Sequence, residues 1–194
     1  MTVESDAATA AEGATEPHWL NLANAFTMLR AVLVPVIAVF VFTEGDVARW
    51  WAFAIFVFAA LTDSIDGWVA RKLIGVTRWG QLADPIADKA LIIGSLGVLA
   101  LNDELPWLAV AIIILREVAV TVWRVVLVRR GVVMPAGPFG KAKTVSQVVA
   151  VTLYLLPVWP PALAYWALVI AVVLTIASGV DYALRGSGKG VRAS

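Results

Sequence analysis

Six apolar stretches of about 20 residues each cover almost all of the chain after Asn21. An α-helix needs about 20 mostly apolar residues to cross the hydrocarbon core of a bilayer. Hydrophobic residues make up 61% of the 194 residues and charged residues only 15%, a composition outside the range of soluble domains. We therefore expect an all-α, polytopic membrane protein with six transmembrane helices. The predicted spans are residues 22–43, 49–70, 82–101, 106–128, 142–159 and 161–183.

The residues outside these spans predict how the chain is organised. Residues 1–20 are interpreted as a disordered acidic segment, residues 21–185 as one helical domain and residues 186–194 as a flexible basic tail. The Pro- and Gly-rich segment 131–140 predicts the one long loop. With cytoplasmic termini, ten Lys and Arg residues would lie on the cytoplasmic side and only Arg49 on the other. The positive-inside rule therefore predicts that both termini of this cell-membrane protein are cytoplasmic.

Residue types that are rare or absent exclude several classes of function. The chain has no cysteine and one histidine, His18, which precedes the first span. Disulfides, thiolate metal sites and Ser-His-Asp catalysis are therefore excluded or nearly so. The net charge of +1 gives no field that would attract nucleic acid. Catalysis must then depend on carboxylates, basic side chains and a bound cation.

Four Asp residues lie in or beside apolar helices, where an uncompensated carboxylate is costly. Asp63 and Asp66 are three residues apart near the end of the second span, and Asp84 and Asp88 are four apart at the start of the third. Each pair lies on one helix face, and a short connection lets the pairs converge. Oxygen ligands without His or Cys favour Mg²⁺, Mn²⁺ or Ca²⁺. Salt bridges are the alternative, with Arg71, Lys72, Arg78 and Lys89.

These acids belong to a longer pattern. Residues 63–88 read DSIDGWVARKLIGVTRWGQLADPIAD and match D-x2-D-G-x2-A-R-x8-G-x3-D-x3-D at all eight fixed positions. The pattern resembles the signature of the CDP-alcohol phosphatidyltransferases, which are six-helix membrane enzymes. The resemblance covers roughly residues 21–185. It implies a phosphatidyl transfer from a CDP-lipid with release of CMP, by a homodimer. The predicted topology places the motif at the cytoplasmic face.

The resemblance also implies a role for each position of the pattern. Asp63, Asp66 and Asp84 would hold one or two Mg²⁺ or Mn²⁺ ions. Asp88 would contribute to the metal cluster and act as the general base on the acceptor hydroxyl. The remaining motif positions would form the CDP site, namely Gly67, Ala70, Arg71 and Gly80.

A second segment resembles a family pattern near the start of the first span. Residues 24–30 (NAFTMLR) are similar to N-x-L-T-x-x-R, with Phe26 in place of Leu. Asn24, Thr27 and Arg30 share one helix face and would complete the nucleotide pocket. Helix capping by Asn24 and ordinary helix packing are the alternative.

Two further segments bear on the acceptor alcohol. Residues 84–89 (DPIADK) and 140–147 (GKAKTVSQ) resemble those of the phosphatidylglycerophosphate synthases, a branch of this family. The resemblance implies CDP-diacylglycerol as donor and sn-glycerol 3-phosphate as acceptor. Phosphate is a good partner for clustered cations, and four are candidates to bind it. These are Arg116, Arg124, Lys141 and Lys143.

Other interpretations stay open at this point. The lysines could be ordinary anchors at the membrane surface, and Arg116 could pair with Glu117 or an Asp. Within the same chemistry, a cardiolipin synthase would use phosphatidylglycerol as acceptor. From other classes, the acids could line the path of a cation transporter, or the chain could be a catalytically idle scaffold.

Overall fold

A computed structural model of the chain describes residues 29, 32–73, 80–129, 138–158 and 160–187. Within these ranges, side chains are described except at 63–73, 80–88, 128, 138 and 185–187. The described part consists of six α-helices joined by turns, without strands. The helices are α1 (Val32–Phe42), α2 (Asp46–Leu73), α3 (Gly80–Leu101), α4 (Trp107–Arg129), α5 (Pro138–Leu155) and α6 (Pro161–Ser187).

The all-α prediction is confirmed, and each described helix lies on one predicted span. One difference is at α5, which begins at Pro138 rather than at residue 142. The predicted loop 131–140 is therefore wrong for residues 138–140, while residues 131–137 lie outside the described residues. Proline is favoured in the first turn of a helix because no hydrogen bond is needed from its nitrogen there. Hydropathy alone marks the apolar part of a helix and misses such polar first turns.

The membrane prediction is supported most directly by α6. Residues Pro161–Leu184 form the one described helix that is both long and apolar enough to cross a membrane, with a mean hydropathy of 2.2. Exposed apolar side chains continue along its outer face at a spacing of three or four residues. These are Ile170, Val173, Ile176, Val180 and Leu184. Soluble proteins rarely expose such a continuous apolar surface.

The helices pack around one apolar core. The most extensive pair is α5 with α6, and α5 also packs on α2 and α3, while α4 packs on α3 and α6. Helices α3 and α5 each touch three or more other helices, so these two occupy the centre of the described bundle. Large side chains of all six described helices are fully buried there, including Ile37, Phe56, Leu96, Ile113, Val151 and Leu168.

A polar turn closes one end of the bundle. Helix α3 ends in a Schellman arrangement, in which the Glu104 N–H donates to the Leu99 carbonyl at 3.0 Å and Asp103 has a φ of 57°. This turn places the Glu104 carboxylate where Arg49 of α2 binds it and the Asn102 amide donates to it at 2.7 Å. The first turn of α2 and the α3–α4 connection are thereby held together.

Helices α1 and α3 approach each other closely at Gly94. A Cβ atom at this position would lie 2.6 Å from Cγ1 and 2.9 Å from Cγ2 of Val34. Valine has little rotamer freedom with which to withdraw, because its side chain branches at Cβ. Glycine at position 94 therefore permits the contact between the two helices.

We expect Gly94→Ala to be less stable than Gly97→Ala by about 1–3 kcal/mol, the usual effect of overpacking. Gly97 is the matched control because it lies one turn further along α3 and a Cβ there would meet nothing within 4 Å. Both substitutions remove a helical glycine, so their difference isolates the contact with Val34. Thermal unfolding in detergent measures it, and equal midpoints would contradict the packing of α1 on α3.

Candidate functional site

The acidic motif spans the facing ends of two consecutive helices. Asp63 and Asp66 belong to the last three turns of α2, and Asp84 and Asp88 belong to the first three turns of α3. The two helices pack against each other. Only six residues, 74–79, separate them. The backbone thus brings both Asp pairs to the same end of the bundle.

The side chains of this motif lie outside the described residues, so their assigned roles stay predictions. This applies to the four Asp residues and to the CDP-site positions Gly67, Ala70, Arg71 and Gly80. Asn24, Thr27 and Arg30 lie outside the described residues altogether.

A buried carboxylate organises the described polar residues next to this motif. Glu117 lies in the middle of α4, and its side chain is only 3% exposed. Lys143 of α5, itself almost fully buried, donates to Glu117 Oε1. Arg116 Nη1 donates to the same oxygen at 3.1 Å. Two of the four cations predicted to bind the acceptor phosphate, Arg116 and Lys143, are therefore brought together at one carboxylate.

A third cation reaches the same carboxylate from α3. Lys89 Nζ lies 3.0 Å from Glu117 Oε2 and donates to the Thr121 hydroxyl at 2.6 Å. That hydroxyl in turn donates to the Glu117 backbone carbonyl at 2.7 Å. We call Lys89, Arg116, Glu117 and Lys143 the Glu117 cluster. It joins three helices, and Lys89, with a side chain 30% exposed, is its most accessible member.

Arg116 is held between α4 and α6 by a close contact with glycine. A Cβ atom at Gly179 would lie 3.3 Å from Cγ and 3.7 Å from Nε of Arg116. The absence of a side chain at position 179 lets the arginine stem lie against α6. Arg116 Nε is buried there and has no hydrogen-bond partner among the described residues. The guanidinium thus keeps a donor that an anion could use.

The other two predicted phosphate-binding cations lie apart from this cluster. Lys141 is exposed, and Arg124 places its guanidinium carbon 5.9 Å from the centroid of the Tyr182 ring on α6. Neither makes an ion pair with Glu117. For Arg116, the alternative that it pairs with Glu117 is confirmed, and this pairing is compatible with binding an anion as well.

An apolar groove of about 330 Å³ opens beside the cluster between α3 and α4. Its walls are formed by Ala90, Ile93, Val118 and Val122, together with Lys89, Glu117 and Thr121. Such walls suit hydrocarbon better than phosphate. An anion would therefore bind at the cationic groups and not along the apolar walls of the groove.

A second polar contact joins α5 to α6 one turn beyond Lys143. The buried Gln147 amide donates to the Thr175 hydroxyl at 2.9 Å, and that hydroxyl donates to the Ala171 carbonyl at 2.6 Å. Gln147 belongs to the GKAKTVSQ segment that pointed to the acceptor. In the described structure its contacts are helix-to-helix hydrogen bonds, which satisfy polar groups inside an apolar bundle.

Sequence reasoning missed how Lys89 and Glu117 contribute to the site. From the sequence, Lys89 is expected only as a salt-bridge partner for the Asp residues, and Glu117 only as a partner for Arg116. A usable signal was present, because a lone acid in the middle of an apolar span requires cationic partners. Its position on α4 did not reveal that those partners come from α3 and α5.

The chain is similar to known proteins over most of its length. Residues 20–177 match the family model of the CDP-alcohol phosphatidyltransferases. A protein of Mycobacterium tuberculosis named probable phosphatidylglycerophosphate synthase is 44% identical over 170 residues, which cover 85% of this chain and 81% of the relative.

Two other relatives carry a more explicit name, CDP-diacylglycerol–glycerol-3-phosphate 3-phosphatidyltransferase. The Bacillus subtilis protein is 37% identical, and the match covers 84% of this chain and 93% of that protein. The Pseudomonas fluorescens protein is 32% identical, and the match covers 83% of this chain and 84% of that protein. The family model and these relatives each span most of the chain, acidic motif and Glu117 cluster included. The chain belongs to the CDP-alcohol phosphatidyltransferase family.

Proposed function

We propose that this protein transfers the phosphatidyl group of CDP-diacylglycerol to sn-glycerol 3-phosphate, giving phosphatidylglycerol phosphate and CMP. The observation that carries the proposal is the intact eight-position motif in a chain of this family. The choice of acceptor is supported by relatives at 37% and 44% identity whose names state that activity or its product.

The Glu117 cluster supports a phosphate-bearing acceptor. Three cations, Lys89, Arg116 and Lys143, lie within 4 Å of one carboxylate, so positive charge is in excess among the described side chains. An acceptor without a phosphate, such as serine, would have no use for this excess. We assign the acceptor phosphate to Arg116 and Lys143, with Arg124 and Lys141 closer to the cytoplasmic entrance.

The donor set of the acidic motif fits a divalent cation. Asp63 and Asp66 on α2 and Asp84 and Asp88 on α3 supply only oxygen ligands, from helix positions one turn apart. Mg²⁺ or Mn²⁺ held there would offset the charge of the diphosphate and act as a Lewis acid. We assign the neighbouring positions Gly67, Ala70, Arg71 and Gly80 to the CDP moiety, together with Asn24, Thr27 and Arg30.

The reaction then needs little from the protein beyond positioning and one proton acceptor. Asp88 takes the proton from the acceptor hydroxyl, and the oxygen forms its bond to the phosphorus that carries the diacylglycerol. The bond from that phosphorus to the CMP oxygen breaks, and CMP leaves with the electron pair. Because Lys89 directly follows Asp88, the backbone holds the proposed base next to the Glu117 cluster.

The proposal places this chemistry in the cell membrane. We infer six transmembrane helices, cytoplasmic termini and an active site at the cytoplasmic face, from the apolar exterior and the distribution of Lys and Arg. We also propose a homodimer. The chain belongs to a transferase family, and this membership does not support the cation-transporter alternative.

The acceptor is tested by CMP release from CDP-diacylglycerol with purified protein and Mg²⁺ or Mn²⁺. Glycerol 3-phosphate, phosphatidylglycerol, inositol phosphate and serine are compared as acceptors. We expect release with glycerol 3-phosphate alone, because the family chemistry and the cationic cluster both favour a small phosphorylated alcohol. Release only with phosphatidylglycerol would instead identify a cardiolipin synthase, and no release with any acceptor would favour an idle scaffold.

The acidic site is tested by the variants Asp66→Asn and Asp88→Asn in the same assay. Each keeps the side-chain volume and removes a charge, so we expect turnover to fall by at least about 10²-fold while the protein stays folded. Asp103→Asn is the matched control, because Asp103 lies at the other end of α3 and asparagine also tolerates its positive φ. Full activity in either motif variant would refute the site assignment.

A further inference from the structure

Among the described side chains, the Glu117 cluster holds more positive than negative charge. One carboxylate is contacted by three cations, from α3, α4 and α5, and both Glu117 and Lys143 are almost fully buried. Burying charges is costly, and a buried ion pair is often no more stabilising than apolar residues of the same size. Three cations around one carboxylate also repel one another, so they stabilise the fold even less than a single buried ion pair does.

The arrangement instead controls where positive charge lies. Glu117 Oε1 accepts from Lys143 and Arg116, and Oε2 forms an ion pair with Lys89 at 3.0 Å, so each carboxylate oxygen has at least one cation beside it. Lysine side chains have many rotamers, and ordering them costs conformational entropy. A carboxylate that orders them in advance removes that cost from the step in which an anion binds.

Two observations indicate that these cations are held for a further anion. The buried Nε of Arg116 has no acceptor among the described residues, although a guanidinium has donors for several. Lys89 is the member of the cluster with a substantially exposed side chain, at 30%, so the charge is reachable from outside the core. Arg116, through Nη1, and Lys89 both pair with a carboxylate that is already shared among three partners.

We propose that Glu117 is a positioning residue for the acceptor: it holds Lys143, Arg116 and Lys89 in the arrangement that receives the phosphate of glycerol 3-phosphate. Lys89 thereby joins the residues that bind this phosphate. The inference rests on the proposed function, since it takes glycerol 3-phosphate as the acceptor. Glu117 itself does not touch the substrate.

This proposal predicts the opposite of what simple charge counting predicts. Replacing Glu117 with glutamine raises the positive charge of the site by one, and charge alone would then tighten phosphate binding and lower KM. If Glu117 acts by positioning, the freed lysines lose their order and binding weakens. The sign of the change in KM for glycerol 3-phosphate therefore distinguishes positioning by Glu117 from a simple effect of charge.

The experiment measures kcat and both KM values for the full chain and its variants. For Glu117→Gln we expect the KM for glycerol 3-phosphate to rise about tenfold or more, a change of about 1.4 kcal/mol, with the KM for CDP-diacylglycerol unchanged. Glu117→Asp keeps the charge but withdraws the carboxylate by one methylene, and we expect a smaller rise. Glu104→Gln is the matched control, because it makes the same change to a carboxylate that pairs with Arg49. It should leave both KM values unchanged.

Each outcome bears on one idea. A KM for glycerol 3-phosphate that is unchanged or lowered in Glu117→Gln would overturn the positioning role. A fall in kcat with both KM values unchanged would overturn it too. If Glu117→Gln does not fold, Glu117→Asp decides the question, and an unchanged KM there overturns the role. Wild-type protein that releases no CMP with glycerol 3-phosphate would instead refute the proposed function itself.

Discussion

The ion pairs of Glu117 connect three helices at a carboxylate that is almost fully buried. Charges interact strongly in such a low-dielectric setting, and removing one partner leaves the others costly to bury. Helices α3, α4 and α5 must therefore keep a register in which Lys89, Glu117 and Lys143 meet. Since Asp88 directly precedes Lys89 in α3, that register also fixes the backbone position of Asp88 relative to α4 and α5.

The rest of the bundle supports this register with small residues inside and apolar residues outside. Gly94 lets Val34 of α1 approach α3, and Gly179 leaves room for the stem of Arg116 against α6. Between helices in a membrane, close packing and hydrogen bonds such as Gln147 to Thr175 replace the hydrophobic effect as the source of association. The exposed apolar face of α6 has the chemistry that a lipid environment requires.

Much of this organisation could be predicted from the sequence, and the exceptions have physical reasons. The six helices follow from hydropathy, and the reaction class follows from a motif local to two helices. Arg116 and Lys143 were predicted to share a site, but Lys89 was not placed there, because its contact with Glu117 joins residues far apart in the chain. Likewise, the first turn of α5 is polar, so hydropathy placed its start too late. Tertiary contacts and helix ends are the features that a periodic pattern does not encode.

The cations ordered by Glu117 are proposed to receive the acceptor phosphate beside the acidic motif. An experimental structure of the protein with glycerol 3-phosphate bound tests this most directly. We expect phosphate oxygens within hydrogen-bond distance, about 2.7–3.2 Å, of Lys143 and Arg116, with the Glu117 contacts retained. A phosphate bound at Arg124 and Lys141, with the Glu117 cluster left without an anion, would contradict it.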